Sequence, residues 1–125
     1  MRNEVIVQKL LGYTNKILGY CQGLSYEDFC ENSMVVEACV FNLSQMGELA
    51  NKADRAYTAD HPEIPWRYLY GLRNRIVHDY EGVNMKLIWE IISDDLVPLS
   101  NTLKQMTNRR TNNACTLSEI FYGPL

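Results

Sequence analysis

Apolar residues return every third or fourth position along most of this chain, and that spacing leaves little room for anything but helix. Ile6, Leu10, Tyr13, Ile17 and Tyr20 make one stripe. Gly19 and Gly23 weaken and then stop it. Ser25 with Asp28 three residues on predicts an N-cap with an acidic third position, opening a short turn or a new helix. From Asn32 to about Arg55 two stripes run side by side: Val36, Val40, Leu43, Gly47 and Ala50, and Val35, Cys39, Met46, Leu49 and Ala53. A helix with two adjacent apolar stripes is covered on more than one side, so this is the expected central helix. Gly47 within it allows a neighbour to come close, at some loss of helix propensity.

The stretch from Ala59 to Pro65 holds two prolines and reads as a connection. Pro65 suits a first helical turn, where its missing N–H has no partner to lose. The helix it opens carries Trp66, Leu69, Tyr70, Leu72, Ile76 and Val77, with Gly82 as its stop. Asn84 caps the next helix, which holds Leu87, Ile88, Ile91 and Ile92. Pro98 cannot lie deep inside a helix, so a restart near Asp94 or Asp95 is expected, followed by Leu96, Leu99, Leu103 and Met106. From Thr107 to Leu125 the pattern fades into polar text, which predicts a mobile or partner-docking tail. No strand pattern and no repeat is found. The reading is all-α: an up-and-down antiparallel bundle of four to six helices over residues 1–106, with residues 107–125 as a tail.

At 125 residues the chain is one domain. Its net charge of −3 provides no global basic field, so nucleic acid would have to be held by a local patch, for which Arg67, Arg73, Arg75 and Lys86 are candidates. Met1-Arg2-Asn3-Glu4 does not lead into a signal-peptide apolar stretch, and no apolar run spans a bilayer. The expectation is a cytoplasmic protein with no membrane partner. Cys21, Cys30, Cys39 and Cys115 show no CxxC spacing and no nearby histidine, and they read as reduced, mostly core-filling residues. No metal site and no cofactor are expected.

The chemistry concentrates between Leu72 and Tyr80, where Arg73, Asn74, His78 and Tyr80 fall within about two helical turns. On a regular helix Leu69, Leu72 and Ile76 form the core stripe, while Trp66, Tyr70, Arg73, Val77 and Tyr80 form its neighbour. An arginine on a largely apolar stripe must be bound by a carboxylate, a partner subunit or a phosphate. Arg73 and His78 are five apart, about 140° around the helix, and converge poorly within one chain. A two-fold pair of helices would bring each histidine near the other chain's arginine. Arginine binds phosphate bidentately and stabilises added charge on phosphorus, and histidine moves protons near neutral pH. These groups suit attack of a ribose 2′-hydroxyl on the adjacent phosphate, with Asn74 orienting phosphate or imidazole. The plainer readings are an Arg73–carboxylate pair, a histidine that ends a helix, a surface amide at Asn74 and an aromatic plug at Tyr80. Glu48, among apolar residues, reads first as an ion-pair partner for Arg73 or another base, and His61 as a loop residue.

The pattern R-x4-H-x-Y, filled by Arg73, His78 and Tyr80 with Asn74 after the arginine, resembles the HEPN superfamily, in particular HepT-like toxins of MNT–HEPN toxin–antitoxin modules. His61-Pro62-Glu63-Ile64-Pro65-Trp66-Arg67, Gly82-Val83, Trp89-Glu90, Asn42-Leu43 and Gly47-Glu48 resemble that family as well, over about residues 1–106. The resemblance implies a helical bundle that forms homodimers and cleaves RNA without metal, with Arg73 and His78 as active residues. It implies a cognate MNT-type nucleotidyltransferase antitoxin that silences the toxin by adenylylating Tyr80. The alternative it leaves is a non-catalytic HEPN dimer that binds nucleotide or serves as partner subunit of the nucleotidyltransferase.

Overall fold

The stripes close on one another in the computed structural model, which describes residues 2–78 and 84–114, with Val77, His78 and residues 109–114 described by backbone alone. The elements are α1 (Asn3–Cys21), α2 (Tyr26–Glu31), α3 (Ser33–Asn51), α4 (Arg55–Asp60), α5 (Trp66–His78), α6 (Met85–Glu90), a π-helical turn (Ile91–Asp95) and α7 (Leu96–Ala114). The turn's flanking residues keep right-handed helical dihedrals, so α6, the turn and α7 run as one rod. Six helical rods and no strand are found among the described residues, and the all-α bundle stands.

Local signals place the ends. Ser25 accepts from the Asp28 amide at 3.1 Å while the Asp28 carboxylate accepts from the Ser25 amide at 3.1 Å, a complete capping box. Asn32 caps α3 and Asn84 caps α6 through their side-chain oxygens. Gly23, at φ +78°, turns the chain out of α1. Asn3 donates to the Asp54 carboxylate and accepts from the Asp54 amide, both at 3.1 Å, which ties the start of α4 to the start of α1.

The core is built as the stripes require. Ile6, Leu10 and Ile17 of α1 meet Cys39, Leu43, Met46 and Ala50 of α3, and Leu69, Leu72 and Ile76 of α5 close the other side of α3. α1 and α3 are antiparallel: Thr14 Oγ1 lies 3.8 Å from Met46 Sδ, and Cys21 Sγ lies 3.6 Å from Cys39 Sγ. α7 packs against α1, where buried Ser100 donates to Asn15 at 2.9 Å. Cys21 and Cys39 fill the core as free thiols, and Cys30 is half-buried. Hydrogen bonding to Cys21, then burial, pushes the Cys39 thiol's pKa up, while the same bond lowers that of Cys21.

Three expectations change. Tyr20 ends the α1 stripe exposed, because the core narrows where α1 gives way to the Gly23 turn. Pro98 lies in the first turn of α7, as expected, but the restart is not a break: the helix widens into the π turn just before it, so the chain keeps its direction although Pro98 cannot donate a backbone bond. Residues 107–114 are helical, since no Gly or Pro interrupts the sequence from Leu99 to Ala114 and buried Leu103 and Met106 anchor the rod. The rest of the expected tail, residues 115–125, lies outside the described residues. Among the described residues no helix is long and apolar enough to cross a membrane.

Candidate active site

The site grows from a close crossing of α3 and α5. A Cβ on Gly47 would lie 3.1 Å from the Leu69 carbonyl oxygen and 3.4 Å from the Arg73 amide nitrogen. A side chain here would crowd both backbones, so glycine favours an approach this close. The next residue on α3 is Glu48, and its Oε1 meets Arg73 Nη1 at 2.9 Å. Gly47 thus brings Glu48 and Arg73 within reach, and the carboxylate orients the guanidinium.

Burial corrects the expected environment of Arg73. Its side chain is 61% exposed and that of Glu48 41%. α5 buries Leu69, Leu72, Ile76 and Trp66, but by Arg73 the neighbouring stripe has reached the rim of the core. The pair is therefore a surface device rather than an internal lock. One carboxylate oxygen occupies one guanidinium nitrogen, and arginine carries five N–H donors in all.

The other sequence-derived residues distribute as follows. Asn74 is exposed on α5, next to Arg73. His78 is the last helical residue of α5, described by backbone alone. It is five residues from Arg73, about 140° around the helix. Tyr80 lies outside the described residues. The four basic residues do not make one patch. Arg73 and Arg75 point about 200° apart, and Arg75 is taken up over the Tyr68 ring at 5.7 Å. His61 closes α4, with its ring stacked on Tyr57 at 4.1 Å and its carbonyl accepting from Trp66 Nε1 at 3.0 Å. It holds the connection to α5 rather than the Arg73 site.

Sequence reasoning did not find the polar cluster on the far side of α5. Tyr68 donates to Asp95 at 2.5 Å, tying α5 to the π turn, beside a cleft of about 330 Å³ that Glu63, Asp94 and Thr102 also line. Burial, then the Asp95 hydrogen bond, pushes the Tyr68 phenol's pKa up. The signal that could have found it is the Ser93-Asp94-Asp95 run inside an apolar helix, ending three residues ahead of Pro98. Among the described residues no group of three or more His, Cys, Asp and Glu is placed to hold a metal ion.

Comparison with known proteins gives the arrangement a context. The family model described as Ribonuclease HepT-like matches residues 10–106. The chain is 29% identical over 104 residues to "Putative RNase TTE0752" of Caldanaerobacter subterraneus subsp. tengcongensis, covering 78% of this chain and 93% of that one. It is 31% identical over 87 residues to "Putative RNase MJ1216" of Methanocaldococcus jannaschii, covering 70% and 72% respectively. It is 25% identical over 87 residues to "Probable ribonuclease HepT" of Thermococcus cleftensis, covering 70% and 79%. No solved structure matches. With the family match spanning the Glu48–Arg73 crossing and the whole of α5, the chain belongs to the HepT-like ribonuclease family of the HEPN superfamily.

Proposed function

We propose that this chain is a metal-independent endoribonuclease that uses Arg73 and His78 in a groove between two copies, as the toxin of a toxin–antitoxin pair. The observation that carries the reading is the Glu48–Arg73 pair: an exposed guanidinium, held by a carboxylate at 2.9 Å, five residues before a histidine in the same helix.

In this mechanism the ribose 2′-oxygen attacks the adjacent phosphorus, and the bond from phosphorus to the 5′-oxygen of the next nucleotide breaks. His78 takes the 2′-hydroxyl proton or delivers one to the departing 5′-oxygen. Arg73 binds the non-bridging oxygens and stabilises the charge added in the pentacoordinate state. Glu48 is a positioning residue that fixes the guanidinium plane, and Asn74 supports phosphate or imidazole. The products carry 2′,3′-cyclic phosphate and 5′-hydroxyl ends, and DNA, lacking the 2′-hydroxyl, is not cut.

In the same reading an MNT-type nucleotidyltransferase partner silences the enzyme by transferring AMP from a nucleoside triphosphate to the Tyr80 hydroxyl, with pyrophosphate leaving. The adenylyl group adds bulk and a negative phosphodiester two residues after His78, where it competes with RNA for Arg73.

The test is cleavage of RNA in EDTA by the wild-type chain, His78→Ala and Arg73→Ala, with analysis of product ends. Histidine- and arginine-dependent cleavage with cyclic-phosphate ends supports the reading. Equal or absent cleavage in all three favours a non-catalytic partner of the nucleotidyltransferase, a reading in which the Arg73–Glu48 contact is only a surface ion pair.

A further inference from the structure

Gly47 has a packing reason to be glycine, and Gly71 has none. A Cβ on Gly71 would meet nothing within 4 Å, and its backbone is not left-handed. Glycine inside a helix is disfavoured against alanine or leucine, so packing within the chain does not account for it in the middle of α5. Its neighbours on the helix surface do. Arg67 and Arg75 lie four residues to either side, which sets them about 40° to each side of Gly71 and about 6 Å before and after it along the axis. Both are exposed, as is Asn74, and neither arginine is in an ion pair among the described residues. The missing side chain leaves a notch of bare backbone between two cations.

Charge decides what the notch takes. Two guanidiniums flank it, so a second copy set on it by a two-fold axis would bring like charge against like. A phosphate suits it: arginine presents a fork of donors matched to phosphate oxygens, and glycine lets a strand come close to the helix. Arg75 stays available, because the Tyr68 ring at 5.7 Å occupies a face of the guanidinium and not the N–H donors in its plane. The carboxylates on this side of α5, Glu63 and Asp95, line the cleft beside Tyr68, whose hydroxyl donates to Asp95. The notch also leads towards the proposed site. Residues 71 and 78 are seven apart and fall within about 20° of one line, about 10 Å apart along the axis. A strand laid over Gly71 therefore runs on towards the position of His78, and the phosphate at the notch is not the one being cut.

We propose that the Arg67–Gly71–Arg75 notch binds a backbone phosphate of RNA that flanks the scissile one, with Arg67 and Arg75 as substrate-binding residues and Gly71 as the gap that admits the strand. The inference rests on the ribonuclease reading and extends its substrate contacts beyond Arg73 and His78. It gives a use to two arginines that lie off the Arg73 site.

The experiment is affinity for a single-stranded 2′-O-methyl RNA, whose blocked 2′-oxygens prevent cleavage, read by fluorescence anisotropy across a salt series. Melting and molar mass of each variant are measured beside it. Gly71→Leu should melt no lower than wild type, since leucine is the better helix former and the space is open, yet raise the dissociation constant ~10-fold or more by filling the notch. Arg67→Ala and Arg75→Ala should each weaken binding ~5-fold or more and flatten the slope of log affinity against log salt by about 0.7. Lys16→Ala, which removes an exposed cation from α1, should leave both nearly unchanged. A wild type that does not bind the RNA overturns the proposal. So does a folded Gly71→Leu that binds as tightly as wild type, or arginine variants no weaker than Lys16→Ala. A Gly71→Leu that changes molar mass overturns it too, because the notch is then covered by another copy. Binding lost at the notch in a protein that does not cut unmodified RNA refutes the nuclease reading alone; cutting unaffected by the three variants refutes the notch alone.

Discussion

Gly47→Ala isolates the one contact on which the Arg73 site depends. Replacing a mid-helix glycine by alanine normally stabilises by about 1 kcal/mol through helix propensity. Here the new methyl would sit 3.1 Å from the Leu69 carbonyl oxygen, 3.4 Å from the Arg73 amide nitrogen and 3.6 Å from Arg73 Cβ. Two of those atoms are backbone, so relief requires α5 to move away from α3. Overpacking of this kind costs about 1–3 kcal/mol, which leaves Gly47→Ala destabilised by about 0–2 kcal/mol after the propensity gain. Gly71 supplies the control. It too lies inside a helix, α5, but a Cβ there meets nothing within 4 Å. Gly71→Ala should therefore gain about 0.5–1 kcal/mol. At about 4 °C per kcal/mol for a domain of this size, the two variants should melt roughly 2–12 °C apart, with Gly47→Ala the lower. Thermal unfolding followed by circular dichroism measures this directly. If Gly47→Ala is stabilised as much as Gly71→Ala, the close crossing is not what the glycine serves, and the account of how Glu48 reaches Arg73 is wrong.

Glu48→Gln should change stability by no more than about 1 kcal/mol, because an exposed ion pair is worth little, yet lower RNA cleavage by loosening the guanidinium; parallel melting and cleavage assays separate the two effects. Tyr68 makes an alkaline prediction. Its folded pKa is raised above the unfolded value of about 10, by burial and then by Asp95. The protonated phenol's contribution is thus complete below about pH 10 and is lost as pH rises through the folded pKa. Wild type should lose more melting temperature than Tyr68→Phe above that pH, and equal losses would refute the assignment. Ser25→Ala removes one half of the capping box and should cost about 1 kcal/mol, read as a lower denaturant midpoint at unchanged slope.

What the sequence revealed follows from which signals are local. The stripes of α1, α3 and α5 were legible because burial repeats at the helical period, and the caps at Ser25 and Asn84 because they use side chains three residues from the amides they satisfy. Gly47 was legible as a point of close approach, but not which helix approaches it. Tertiary facts were harder. Arg73 has the periodicity of a core-edge residue and only the packed bundle shows it at the rim. The π turn before Pro98 has no propensity signature, so a break was the natural expectation. Short α4 depends on Asn3 and Asp54, fifty-one positions apart, a separation no periodicity reports.

The choice between a structural and a functional Arg73 turns on where its charge sits. A buried arginine locked to a carboxylate is costly to expose, and neither partner could leave to meet a phosphate. At the observed exposures the pair contributes about 0–1 kcal/mol, far less than the several kcal/mol a preorganised cation contributes at a developing negative charge. Evolution of a merely stable bundle gains little from such a pair, and loses about 1 kcal/mol of helix propensity at Gly47 to form it. An enzyme gains from both. The glycine sets the distance, the glutamate sets the orientation, and the exposure leaves the remaining donors open to an incoming phosphate. In the proposed reading the arrangement serves what Arg73 binds, since what the pair holds together is worth only about 0–1 kcal/mol.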